Sequence, residues 1–266
     1  MNWVQRLSAV VNIVALCAIA APAQAQGSGA VFAGAAPGAR IQVAVAANFF
    51  EPAKEIGALF KAQSGVEAVF SFGSSGQLYA QIAQEAPFDI FLSADDARPR
   101  EAIAAGFAVA GSRFTYAIGR LALWGRGDLA ARGGEALAAG GFSKLAIANP
   151  GAAPYGVAAI ETMKALKLYA TLQPKIVQGK SIGQAFQFVD TGNAELGFVA
   201  LSQLAGQPAG SRWIVPQDYY TPIRQDAVLL QRGADKPAAA AFLAFLRGAE
   251  AQAVIEKFGY AVERGR

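Results

Sequence analysis

The chain has 266 residues, 54% of them hydrophobic, with 23 basic against 19 acidic residues and a net charge of +4. That length suffices for one sizeable domain or two small ones, and so slight an excess, without any run of Lys and Arg, gives nucleic-acid binding no support. There is no histidine and one cysteine, Cys17; with Cys17 in a cleavable segment, Ser-His-Asp and Cys-His nucleophile systems and the usual zinc ligand sets are removed.

Residues 1–25 read as a secretory signal. Arg6 supplies the positive start, Leu7 to Ala21 is apolar apart from Ser8 and Asn12, and Ala23-Gln24-Ala25 is a small-x-small cleavage site. A membrane anchor would need a longer apolar stretch. A lipoprotein signal would place a small residue before Cys17, where Leu16 stands. The mature protein is therefore expected in the periplasm, soluble and thiol-free, relying on its core rather than on disulfides. Residues 26–40, rich in Gly and Ala, read as a flexible leader. No later apolar stretch is long enough to span a bilayer.

From Ile41 onward, short apolar runs alternate with amphipathic stretches. Strands are predicted over 41–47, 66–71, 89–92, 113–118, 121–124, 144–148, 175–177, 196–199, 212–215 and 227–231. Helical spacing is predicted after Pro52 (Ile56, Leu59, Phe60), over 77–84, 157–168 and 184–189, and after Pro237 over 236–247 and 249–258. Such alternation predicts parallel sheets with covered faces. The Gly-rich stretch 125–141 reads as a surface excursion. Two long extended segments, 114–124 and 221–230, suit a chain that leaves one lobe, builds a second and returns. Periodicity accommodates one sheet or two equally well.

Two loops stand out. Ala46-Ala47-Asn48-Phe49 follows the first strand and Phe72-Gly73-Ser74-Ser75-Gly76 follows the second. Each offers small neutral donors at a helix start, amide or hydroxyl with backbone N–H, and no charged side chain, which suits a small anion held without neutralisation. The same residue types serve as ordinary turns and N-caps. The serines do not fit the spacing of a nucleophile elbow, and no base accompanies them. Asp95-Asp96 is the obvious carboxylate pair, but adjacent helical residues do not face each other. Asp95 is expected to cap the helix containing Ile103.

The segments Val45-Ala46-Ala47-Asn48-Phe49, Phe72 to Leu78, Asp89 to Asp95, Asn149-Pro150 with Ala153-Pro154-Tyr155-Gly156, Gly197 to Ser202 and Pro222 to Ala227 resemble, in order and spacing, the periplasmic molybdate/tungstate-binding proteins of ABC importers. The resemblance runs from about Ile41 to Val262. It implies an α/β, two-lobed periplasmic-binding-protein fold of type II with two extended hinge crossings: lobe 1 from 41–120 and 224–266, lobe 2 from 121–223. It implies an interlobe oxyanion site made by Asn48, Ala47, Ser75, Tyr155 and Ile182, with Tyr155 acting through its N–H or its hydroxyl and Ile182 through its N–H. Some members carry a ligand tyrosine where this chain has Ala200. No cofactor is implied beyond the anion and no direct metal-ion ligand. The implied partners are the oxyanion and an inner-membrane permease, and the implied state is a monomeric binding protein rather than an enzyme.

The chemistry agrees. A deprotonated tetrahedral dianion presents only acceptors, so its site should be all donors, whereas protonated phosphate rewards an acceptor such as Asp. Sulfate has the same charge and shape, and its rejection would rest on cavity size. Two rivals differ in class. Tyr219-Tyr220 could ligate ferric iron, which favours anionic oxygen; the plain alternative is a half-buried aromatic pair at a strand end. An envelope enzyme acting on a small anion would need a carboxylate or Lys in the cleft, and the motif segments offer neither.

Overall fold

The computed structural model describes residues 38–207 and 212–263. The expected signal and residues 26–37 of the leader lie outside the described residues. The last three leader residues are joined to the fold. Gly38 N–H donates to Gly65 C=O at 3.0 Å and Ala39 C=O accepts from Glu67 N–H at 2.9 Å, and Arg40 opens the first strand. Pairing with Gly65 and Glu67 gives these backbone groups partners that composition did not reveal.

The first sheet contains β1 (Arg40–Ala46), β2 (Glu67–Gly73), β3 (Ile90–Leu92), β4 (Phe114–Gly119) and a late strand, Ile223–Leu229, in the order β2-β1-β3-late strand-β4. Helices α1 (Phe50–Ser64), α2 (Ser75–Ala83) and α3 (Ala97–Ala104) connect its early strands. On β1 the side chains alternate. Ile41, Val43 and Val45 enter a core with Phe49, Ile56, Phe60 and Phe242, and Ala44 enters one on the opposite face with Leu78, Ile82 and Phe91. Both faces are thus covered.

The second sheet contains β5 (Leu121–Gly125), β6 (Leu145–Ala148), β7 (Ile176–Gly179), β8 (Leu196–Ala200) and β9 (Arg212–Ile214), in the order β7-β6-β8-β5-β9. Helices α4 (Gly134–Ala139), α5 (Pro154–Ala165), α6 (Tyr169–Leu172) and α7 (Ile182–Asp190) accompany it. The late strand of the first sheet is β10, followed by α8 (Pro237–Arg247) and α9 (Ala249–Lys257). Among the described residues no single helix is long and apolar enough to cross a membrane.

Parallel pairing holds for β1 with β2 and β3, and for β6 with β7 and β8. It fails for β10, antiparallel to β3 and β4, and for β5, antiparallel to β8 and β9. These strands leave or return across the space between the sheets, so they run against strands that end there. β4 and β5 belong to different sheets with only Arg120 between them. The return from β9 to β10 passes a 3-10 turn, Gln217–Tyr219. β10 starts at Ile223, four residues before the predicted Ala227, and carries a bulge between Gln225 and Asp226. The stretch 125–141 is not a surface excursion: it forms a 3-10 turn and α4, with Ala130, Ala136 and Leu137 buried. Gly133, at φ 58°, lies against the Trp213 ring.

Three helices begin earlier than their apolar periodicity implies, at Ser75, Pro154 and Ile182 rather than 77, 157 and 184. Their first turns open on Ser75-Gly76, on Pro154 and on Ile182-Gly183, and so add little to an apolar stripe. Those first turns build the site.

Candidate functional site

Five chain segments converge on a small cavity between the lobes. Its lining includes Ala47 and Asn48 after β1, Ser74 and Ser75 after β2, Ala94 after β3, Ala153, Pro154 and Tyr155 at the start of α5, and Ile182 at the start of α7. Ligands of open α/β sheets sit beyond the carboxyl ends of the strands, and β1, β2, β6 and β7 all end toward this space. All five residues that the resemblance implies, Ala47, Asn48, Ser75, Tyr155 and Ile182, line the same cavity.

The donors follow from the helix starts. Ala47 opens the 3-10 turn Ala47–Phe49, which runs directly into α1. Ser75, Tyr155 and Ile182 occupy the first turns of α2, α5 and α7, where backbone N–H groups have no intrahelical acceptor. Ser74 and Ser181 cap two of these helices: each hydroxyl accepts from the N–H three residues on, Gln77 at 3.4 Å and Gln184 at 3.3 Å. A helix N-terminus carries roughly half a positive charge, so four of them offset about one dianion. Among the described residues that line the cavity, none has a charged side chain.

Ser75 is buried, and its Oγ accepts from Ala94 N–H at 2.9 Å. Its own proton is therefore left to donate elsewhere. Tyr155 is buried, and its hydroxyl accepts from Gln225 Nε2 at 3.2 Å. That phenol abuts the crossing, since a Cβ on Gly119 would collide with it. The hydroxyl thus faces the hinge, and it is the N–H of Tyr155 that belongs to the open first turn.

Asn48 departs from a simple donor. Its Nδ2 donates to Gln225 Oε1 at 2.8 Å and to Tyr260 OH at 2.9 Å, leaving Oδ1 buried without a partner among the described residues. Behind it lies a polar cluster that sequence reasoning missed. Tyr116 OH donates to Gln225 Oε1 or to Ser93 C=O, both at 3.1 Å, and Ser202 Oγ and Tyr260 OH each reach Asn48 C=O at 2.8 Å. Burial pushes Tyr260 to about 12 and Tyr116 and Tyr155 well above the ordinary tyrosine value, so these hydroxyls stay neutral. The motif Pro222 to Ala227 pointed to this region without giving Gln225 a task.

The lobes touch around the cavity: Gly76 N–H donates to Ala152 C=O at 2.9 Å. Asp95 and Asp96 do not form a carboxylate pair. Asp95 accepts from Arg98 N–H at 2.9 Å and pairs with the Arg98 side chain, which caps α3, while Asp96 pairs with Arg100. Burial nevertheless pushes the Asp95 carboxyl up. Tyr219 and Tyr220 lie outside the cavity, beside a surface cleft with Glu161 and Asp218. Tyr220 OH accepts from Leu121 N–H at 3.1 Å and burial raises its pKa, which disfavours the phenolate that ferric iron requires. Among the described residues no group of three or more His, Cys, Asp and Glu could hold a metal ion.

Two α/β lobes meeting around a small cavity lined by neutral donors define a solute-binding protein. The sequence profile described as bacterial extracellular solute-binding protein matches residues 41–261. A molybdate-binding protein ModA of Rhodobacter capsulatus is 54% identical over 220 residues, 83% of this chain and 87% of that protein. The molybdate-binding protein ModA of Azotobacter vinelandii is 48% identical over 233 residues, 86% of this chain and 92% of that protein. The solved Azotobacter vinelandii periplasmic molybdate-binding protein superposes with a TM-score of 0.80 at 41% identity, covering 84% of this chain and all of that one. The chain belongs to the bacterial extracellular solute-binding protein family and, at these identities, to its ModA-type members.

Proposed function

We propose that this chain is a periplasmic capture protein for molybdate, or its tungstate analogue, and delivers it as a monomer to the permease of an ABC importer. The observation that carries the reading is the convergence of four helix starts on one small cavity without a charged side chain. A dianion with four acceptor oxygens matches such a donor set; phosphate, which carries a proton near neutral pH, would lose an acceptor for it. Ala47, Ser75, Tyr155 and Ile182 would donate through backbone N–H groups, Ser75 through its hydroxyl as well, and Asn48 through its amide. The lining, with no carboxylate, Lys or thiol to transfer a proton or attack, supports capture over catalysis.

Calorimetric titration of the mature protein with molybdate, tungstate, sulfate, phosphate and ferric citrate tests this. Tight one-to-one binding of the first two alone is expected. Silence toward both, or a response to ferric citrate alone, would overturn it.

A further inference from the structure

Asn48 presents a conflict. It lines a cavity suited to an anion, yet the amide atom left over from its bonds to Gln225 and Tyr260 is Oδ1, an acceptor. A half turn of the amide would exchange Oδ1 and Nδ2. With Gln225 unchanged, that turn would set Asn48 Oδ1 against Gln225 Oε1. Gln225 must therefore turn as well, and its surroundings allow it.

We propose that Gln225 is the positioning residue that sets the polarity of Asn48: the two amides turn together when an oxyanion enters, so that Asn48 Nδ2 becomes a donor to it. The inference rests on the oxyanion reading above.

Every partner has a role in both states. In the structure, Gln225 Oε1 accepts from Asn48 and Tyr116, and Gln225 Nε2 donates to Tyr155 OH. In the turned state Gln225 Nε2 donates to Asn48 Oδ1 and to Tyr116 OH, while Tyr116 OH donates to Ser93 C=O, already 3.1 Å away. Tyr155 OH reverses and donates to Gln225 Oε1. Tyr260 OH reverses and donates to Asn48 Oδ1, and Ser202 Oγ keeps Asn48 C=O. Neutral hydroxyls rotate between donor and acceptor without moving a heavy atom, and burial holds Tyr116, Tyr155 and Tyr260 neutral. The turn also removes the orphaned acceptor, since a buried polar atom without a partner is unfavourable. The bulge at Gln225/Asp226 lets both adjacent side chains be fully buried, which aims Gln225 at Asn48 and Tyr155 while Asp226 pairs with Arg113 and Thr115.

The test is molybdate titration of the native chain and Gln225→Glu at about pH 6 and about pH 8.5, chosen to bracket a buried carboxyl. In Gln225→Glu, a protonated carboxyl donates as the amide does; an ionised one only accepts and holds Asn48 in the unturned state. The native chain is expected to bind equally at both values. Gln225→Glu is expected to bind within a few-fold of native at the lower pH and at least tenfold more weakly at the higher, with its melting transition retained. Equal affinity of Gln225→Glu at both values, whether native-like or reduced, would overturn the inference alone. Silence of the native chain toward molybdate would overturn the oxyanion reading and this inference with it.

Discussion

Ser75 illustrates how one hydroxyl serves both fold and site. Its lone pair accepts from Ala94 N–H, so its proton is directed outward, and it sits in the first turn of α2. Ser75→Ala should weaken molybdate binding by about 1.5–3 kcal/mol, the usual contribution of a bond to a charged group, as read by calorimetric titration. It also strands Ala94 N–H, so the melting temperature of the ligand-free protein should fall too. Unchanged affinity would remove Ser75 from the site. At this scale the sequence was informative about residue type: Asn48 and Ser75 in two separate loops marked donors without charge, and the family resemblance added Tyr155. It was silent about direction. Whether Tyr155 turns its phenol or its N–H toward the cavity depends on Gly119 and Gln225, residues 36 and 70 positions away in the chain by direct subtraction. Asn48 likewise depends on Gln225 and Tyr260.

At the scale of elements, the site is assembled from helix starts, and those were the hardest boundaries to read. Apolar periodicity reports the buried stripe of a helix, which begins after the polar first turn. The start of α5 at Pro154 is where this matters most, since it carries Tyr155. Gly156, in the same turn, packs on the end of β6: a Cβ there would meet Ala148 C at 2.9 Å and Pro150 N at 2.9 Å. Gly156→Ala should therefore push the start of α5 from the cavity. We expect a stability loss of about 1–3 kcal/mol in urea unfolding, the usual range for overpacking, together with a weaker molybdate titration. Native stability with native affinity would show that α5 tolerates the shift.

For the whole molecule, the proposed binding is a closure, because it sets donors from both lobes on one anion. Gly76 offers a clean probe. A Cβ at Gly76 would lie 3.1 Å from Ala152 Cα and 3.2 Å from its carbonyl oxygen, a contact that exists only while the lobes are together. Replacing a helical glycine by alanine otherwise favours the folded chain by up to about 1 kcal/mol. Gly76→Ala should thus leave the ligand-free melting temperature equal or higher while reducing the rise produced by molybdate. For the native chain that rise should correspond to about 2.7 kcal/mol at a hundredfold excess over Kd, with compaction visible in solution scattering. A parallel fall of both melting temperatures in Gly76→Ala would assign the contact to general packing instead.

The sequence by itself determined the alternating α/β class, the two loops that carry Asn48 and Ser75 and the lack of histidine, because these depend on composition and short-range pattern. Tertiary structure decided that β5 and β10 run against their neighbours, that the stretch 125–141 is packed, and that Tyr219 and Tyr220 stand outside the cavity. It also decided that Gln225 joins Asn48 to Tyr155. Each of these is a relation between segments brought together by the two crossings. A hydrogen bond between residues 48 and 225 leaves no periodicity in the chain. It exists because β10 returns between β3 and β4 and a bulge turns one buried amide toward another.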